Sequence, residues 1–192
     1  MRRGYPVMGR DFFEVDYASD GDLMAPLARY AQFMDLLAPL AEDALLAALR
    51  ERMDLDQYLR WLANQSVLQS GDYVDEAYFL ATQQADGKGQ VGQSYRVMPW
   101  DAEGYTACHA GGAMAYVDPY QLAYCAEGRL DHKILADPKV YQLFATRLED
   151  ALAGALAPDK MAAALGRTRD ALQARLVDPS VCAAMIELQR IN

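Results

Sequence analysis

Between residues 54 and 99 the sequence changes its hydrophobic period once, and that change constrains the fold more than any other feature. The stretch "DLDQYLRWLANQSVLQSGD" sets Leu55, Tyr58, Leu59 and Leu62 on one face of a helix. Asp54 is placed to cap it, with Gln57 three residues later as a capping-box partner. The helix is expected to end near Ser70-Gly71, so that Asp72 emerges into the loop "GDYVDEA". Next come "YFLAT" and "SYRVMP", two runs rich in aromatic and apolar residues, separated by the Gly- and Gln-rich "QQADGKGQVGQ". That pattern predicts a β-hairpin with a long tip.

Helical patterning flanks this unit on both sides. "DLMAPLARYAQFMDLLAP" and "PLAEDALLAALRERM" read as packed helices before it, while "FFEV" near the start has the makings of a short strand. Beyond Gly104 no steady period holds until "DPKVYQLFATRLEDALAGAL", where Asp137 is a cap and Pro138 the first helical residue. Helices starting at Asp159 and at Asp178-Pro179 follow, forming with it a bundle expected to cover one side of the hairpin. The predicted fold class is α+β, mostly α-helical, with a short hairpin at the site. One domain over 1–192 is expected: a helical lead-in over 1–50, a core with the hairpin over 51–104, and a loop plus helical bundle over 105–192.

The formal charge of −9 is spread along the chain rather than gathered in a tail. Such a surface repels phosphate backbones and argues against a nucleic-acid partner. No run of about 18 apolar residues exists to span a membrane, and Met1 to Phe13 has basic residues without the apolar stretch of a signal peptide. The chain as given therefore reads as soluble, with its compartment unknown. Cys108, Cys125 and Cys182 cannot close a disulfide framework and are expected to be buried or idle thiols. Together with His109 and His132, Cys108 and Cys125 fit no zinc spacing. With two histidines in all and no nucleophile-elbow context, hydrolase triads are poorly supported, and carboxylates are what the sequence offers for chemistry.

A hairpin brings its ends together, so Asp72, before the first strand, and Asp101 with Glu103, after the second, are expected to be neighbours in space. Converging acids repel one another unless a hard divalent cation or a shared proton intervenes, and Mg2+ is the natural candidate. The same residues also fit plain roles in which Asp72 and Asp101 cap turns and Glu103 is solvated. Spacing alone does not choose between these. Gly87, Gly89 and Gly92 follow no Walker spacing and are expected to relax the hairpin tip. Arg96 is placed either to reach a phosphate or to pair with an acid.

The ordered set "DLDQYLRWLANQSVLQSGD", "AYFLATQ" and "YRVMPWDAEG" resembles the core of the spore coat protein H (CotH) kinase family, where a helix ending in Asp, a hairpin and a "pWD-x-D" segment follow in that order. "DFFEVDYASDGDLMAPLARYAQFM" and "HKILADPKVYQLFATRLEDALAG" resemble the family's flanks, so the likeness runs from Phe12 to Leu176. It implies an atypical protein-kinase-like C-lobe, with Mg2+ and ATP as cofactors and a protein Ser or Thr as substrate. Asp72 would take the catalytic-loop part, Asp101 the metal-binding part, and Glu103 the place of the family's second acid. An acid in the first place orients the attacking hydroxyl, and one in the second fixes the metal on the phosphates.

Three departures from the family pattern matter. Where the family has a metal-supporting Asn, this chain has Ala77, so either Asp75 or Glu76 substitutes or a second metal site is lost. Glu103 replaces an Asp with a longer arm of equal charge. About fifty residues precede the "LDQYLRWLAN" helix and none is lysine, the first being Lys88, so the nucleotide-clamping N-lobe and its ion-paired Lys are expected to be missing, or supplied by a second chain. The alternatives are a pseudokinase-like binding module and an unrelated helical interaction protein. Members of the family are often exported or spore-associated.

Overall fold

The computed structural model describes residues 2–7, 10–14, 21–22, 24–70, 77–85, 91–99, 122–126 and 128–175. Packing divides the chain into two compact units, Met1–Glu149 and Asp150–Asn192.

In the first unit, strands β1 (Arg2–Val7) and β2 (Arg10–Glu14) precede helices α1 (Met24–Leu37), α2 (Glu42–Arg52) and α3 (Leu55–Leu68). The hairpin β3 (Ala77–Ala85) and β4 (Val91–Pro99) follows, then α4 (Arg129–Leu135) and α5 (Pro138–Ala153), which runs into the second unit. The predominantly helical α+β character is as expected. Among the described residues the strands form one antiparallel sheet in the order β2-β1-β3-β4. Residues 2–7 and 10–14 are therefore paired strands at the head of a lead-in read as helical, and "FFE" does lie in a strand. Pro6 sits where the β1–β2 register shifts, between Gly4 and Val7, a position that tolerates a residue without an N–H.

The central hairpin is longer than its apolar runs suggested. Its ladder is unbroken from Ala77↔Pro99 to Ala85↔Val91, taking in Gln83–Ala85 and Val91–Gln93, which read as tip. Backbone pairing continues through Gln and Gly because ladder bonds need no particular side chain. Residues 86–90, with Gly87 and Gly89, lie outside the described residues.

The inward face of the hairpin fixes the core. Tyr95 and Val97 of β4 and Phe79 of β3 are buried, while Leu80, Arg96 and Met98 on the alternate positions are exposed. The Tyr95 ring packs 5.8 Å from Tyr30 and 5.1 Å from Phe33 of α1, and Phe79 lies 6.0 Å from Tyr58 of α3. Leu45 and Leu49 of α2, Leu59 and Leu62 of α3, Leu130 and Ile134 of α4, and Val140 and Phe144 of α5 complete one continuous cluster. Each such residue contributes roughly 1.5–3 kcal/mol by leaving water, so the hairpin is held chiefly by its inner face.

Helix ends tie these elements together. The Asp22 carboxylate accepts from Met24 and Ala25 N–H at the start of α1. Asp54 caps α3 by accepting from Gln57 N–H at 3.2 Å, as expected. The reciprocal half of a capping box is replaced: Asp54 N–H donates to the Tyr95 carbonyl at 2.8 Å, and Met53 forms a parallel bridge with Tyr95, so the entry to α3 is stitched to β4. Arg96 pairs with Asp54, at 3.7 Å.

Asp56, in the first turn of α3, accepts from Arg60 at 2.7 Å and from Arg147 of α5 at 2.6 Å. These bonds, that from Arg60 first, hold its carboxyl below the usual carboxylate range. A group whose folded pKa is depressed contributes stability above its unfolded pKa and loses it as pH falls through the folded value. Because Asp56 is half exposed, Asp56→Asn is expected to cost only a few tenths of a kcal/mol at neutral pH. The difference should shrink as pH falls through the depressed folded-state pKa of Asp56, read as urea midpoints of the two proteins at acid and neutral pH.

The second unit is described on its own. After α5, α6 (Pro158–Gln173) has Pro158 in its first turn and Ala157, not Asp159, as its cap residue. None of its residues is buried, and Leu152 and Leu165 are exposed. The helix expected from Asp178-Pro179 lies outside the described residues. Among the described residues no helix is long and apolar enough to cross a membrane.

Candidate functional site

The hairpin end at which Ala77 pairs with Pro99 is the end from which both acid-bearing segments leave the sheet. Helix α3 delivers the chain toward the first of them. Its cap is Gln69, in the left-handed conformation (φ 51°, ψ 42°), two residues before the glycine expected to stop it. Gln69 N–H donates to the Gln65 and Ser66 carbonyls and Ser70 N–H donates to Gln65 at 3.1 Å. Closing the last carbonyls in this way offsets the roughly 1–2 kcal/mol that a side chain costs in this conformation.

The last turns of α3 are polar where the helix face should be apolar. Gln65, Ser66 and Ser70 are all buried. Ser66 Oγ donates to the Leu62 carbonyl at 2.8 Å and accepts from Tyr124 N–H at 3.1 Å, fastening residues 122–126 against the helix end. Gln65 Oε1 and Ser70 Oγ are buried without a hydrogen-bond partner. Buried orphan polar atoms are uncommon, and an ordered water or a bound ion is the usual way such atoms are satisfied. Their signal was present in the sequence, since Gln65 and Ser66 continue the stripe of Tyr58, Trp61 and Leu62 at helical spacing.

Two turns earlier on α3, Tyr58 meets Asp131 of α4, which is fully buried. Asp131 accepts from the Tyr58 hydroxyl and, at 3.0 Å, from Gly128 N–H. The Tyr58 partner is not visible from local spacing, because it is 73 residues from Asp131, whereas Gly128 is three residues away. Cys125 is also fully buried, and it is disulfide-bonded rather than an idle thiol, its partner lying outside the described residues.

Asp72, Asp75, Asp101 and Glu103 lie outside the described residues. Among the described residues no group of His, Cys, Asp or Glu is arranged to hold a metal ion. A cleft of about 390 Å³ opens on the first unit, lined by Arg50, Asp54, Asp56, Ser94, Arg96 and Arg147 among others. Its acids are already engaged, Glu51 with Arg52, Asp54 with Arg96 and Asp56 with Arg60 and Arg147. That cleft is a self-neutralised surface rather than a carboxylate centre.

A mostly helical α+β unit, in which a long helix runs into an antiparallel hairpin, is the class of protein defined so far. The family profile described as CotH kinase protein matches residues 18–180. The chain therefore belongs to the CotH kinase family and is kinase-like. No curated protein and no solved structure matches it.

Proposed function

We propose that this chain is a CotH-type phosphotransferase unit that moves the γ-phosphoryl group of ATP to a Ser or Thr hydroxyl of a protein. The Ala77↔Pro99 pairing carries the reading, because it roots the segment bearing Asp72 and Asp75 and the segment bearing Asp101 and Glu103 at one end of one hairpin. Four carboxylates in two segments so rooted would offer hard oxygen donors, which suit Mg2+. Asp101 and Glu103, with Asp75 in place of the family's Asn, would hold that ion. When bound, Mg2+ supplies charge neutralisation on the β- and γ-phosphates. Asp72 orients the attacking hydroxyl and accepts its proton as the Oγ–P bond forms and the bond to the ADP oxygen breaks. Positioning and neutralisation supply most of the rate in such transfers, so few further groups are needed.

A second reading is favoured by one residue. Ala77, the first residue of β3, stands where the family has Asn and offers no ligand, which suits a pseudokinase-like module that binds nucleotide without transfer.

A thermal melt with and without Mg2+-ATP, followed by transfer of radiolabelled phosphate to a generic protein substrate, separates these. Wild type is expected to be stabilised by nucleotide, by about 2.7 kcal/mol at a hundredfold excess over Kd. Asp101→Ala should lose the shift, and Asp72→Ala should keep the shift and lose transfer. A shift without transfer in wild type selects the binding module. No shift at millimolar nucleotide rejects both.

A further inference from the structure

Helix α4 buries Leu130, Asp131, Ile134 and Leu135 and leaves Arg129, His132, Lys133 and Ala136 on its outer side. The spacing of the second set, i, i+3, i+4 and i+7, makes one continuous helix face. That face and the end of α1 enclose a groove of about 450 Å³, with Met34 and Ala38 on the α1 side. A second groove, of about 520 Å³, starts from the same Ala136 and is lined by Pro138, Tyr141 and Ala145 of α5 and by Leu122. Because they share Ala136, the two adjoin on one surface of the first unit. Their chemistry differs. Leu135 and Tyr141 are buried beneath the second groove and Leu122 is 38% exposed at it, so that half offers mainly apolar surface. The first half has Met34 and Ala38 as an apolar floor and the three basic side chains around it. Lys133 Nζ is held by the Ala38 carbonyl at 2.9 Å, a neutral acceptor, so the ammonium keeps its charge and two further N–H donors. Among the described residues lining either groove there is no acid, although the chain has 27 acids and a net charge of −9.

An apolar groove that continues into a basic one, on an otherwise acidic protein, is complementary to an occupant that is apolar at one end and acidic at the other. We propose that the α4–α5 face docks a short acidic segment of a partner protein, with large apolar side chains in the α5 groove and adjacent Asp or Glu carboxylates at Arg129, His132 and Lys133. Apolar burial supplies the attraction, and the carboxylates set direction and register. The two helix faces together reach at most about 20 Å at 1.5 Å per residue, the span of about six extended residues. A short peptide meets this face alone, whereas a phosphate backbone or an anionic bilayer would also meet the −9 carried by the rest of the chain. None of the lining residues belongs to the hairpin, so the docking face goes beyond the phosphotransfer reading and does not rest on it.

The test is fluorescence anisotropy of labelled peptides titrated with the full chain at low ionic strength. The peptides are two leucines followed by three glutamates, the reverse order, and both again with glutamine in place of glutamate. At least one acidic order should bind saturably, and its glutamine counterpart should bind about tenfold more weakly, the worth of roughly two exposed charge pairs. Arg129→Gln combined with Lys133→Gln should abolish that tenfold preference. Ala136→Glu places an acid at an exposed position where the grooves meet and should abolish binding of the acidic peptide. Arg50→Gln, an exposed site in the separate cleft, should leave binding unchanged. Thermal melts establish that each variant is folded, and the comparison of glutamate with glutamine peptides on wild type preserves the test if one is not. The proposal is overturned by no saturable binding of either acidic order at millimolar concentration, by equal affinity for the glutamine peptides, or by undiminished binding in Ala136→Glu. Displacement of the acidic peptide by decanoate at equal concentration would also overturn it, in favour of an acyl carboxylate as the occupant.

Discussion

Asp137→Ala is expected to lower stability by about 3 kcal/mol, a fall in Tm of about 6–12 °C for a chain of this size. The effect is large because one buried carboxylate closes two helix starts. Oδ1 accepts from Lys139 and Val140 N–H, at 3.0 and 3.2 Å, capping α5. Oδ2 accepts from Glu42 N–H at 2.5 Å, the first residue of α2. Helix α2 has no local substitute: its cap residue is Ala41, which makes no side-chain bond, and Glu42 itself has a positive φ of 50°. Asp137→Asn keeps one acceptor for α5 and sets an amide NH2 against the Glu42 donor, so about half the loss should remain. Equilibrium urea melts of the three proteins measure this. If Asp137→Ala costs no more than an ordinary cap, about 1 kcal/mol, the link to α2 is not contributing.

Asp137 also shows what the sequence could and could not reveal. Its role at α5 was legible, because Asp followed by Pro at a helix start is a local pattern. Its role at α2 was not, because Glu42 is 95 residues away and "PLAEDALL" contains no sign that its missing cap is supplied from outside. The same division recurs at α3. Asp54 was identifiable as the cap from spacing, whereas the capture of its N–H by Tyr95 depends on β4 lying alongside. Strand β1 was missed because "RRGYPV" holds a glycine and a proline, and it is placed by pairing partners rather than by its own propensity. At the candidate site, the anchors were legible as a helix, a hairpin and their order. The buried polar turn of Gln65, Ser66 and Ser70 lies on the helix face that apolar periodicity marks, but periodicity of apolar residues does not register polar ones. Asp72, Asp75, Asp101 and Glu103 rest on the family motif and on the strand ends that carry their segments.

Asp131→Ala is expected to be the most damaging single change, at about 4 kcal/mol or more, lowering Tm by about 8–16 °C. The carboxylate is fully buried, and its removal strands two buried donors, the Tyr58 hydroxyl and Gly128 N–H. Each stranded group costs roughly 1–3 kcal/mol, and the vacated volume adds to it. Tyr58→Phe removes one bond to a charged acceptor and should cost about 2 kcal/mol. Because both changes remove the same contact, their effects should not add, and the double variant should fall short of the sum by about 1–2 kcal/mol. Full additivity would mean that the hydroxyl and carboxylate do not interact in solution. The pair joins the middle of α3 to α4, so it also determines how firmly the polar end of α3 is held. Nucleotide stabilisation should therefore weaken in Tyr58→Phe while the protein remains folded, whereas an effect on stability alone would confine Asp131 to the core.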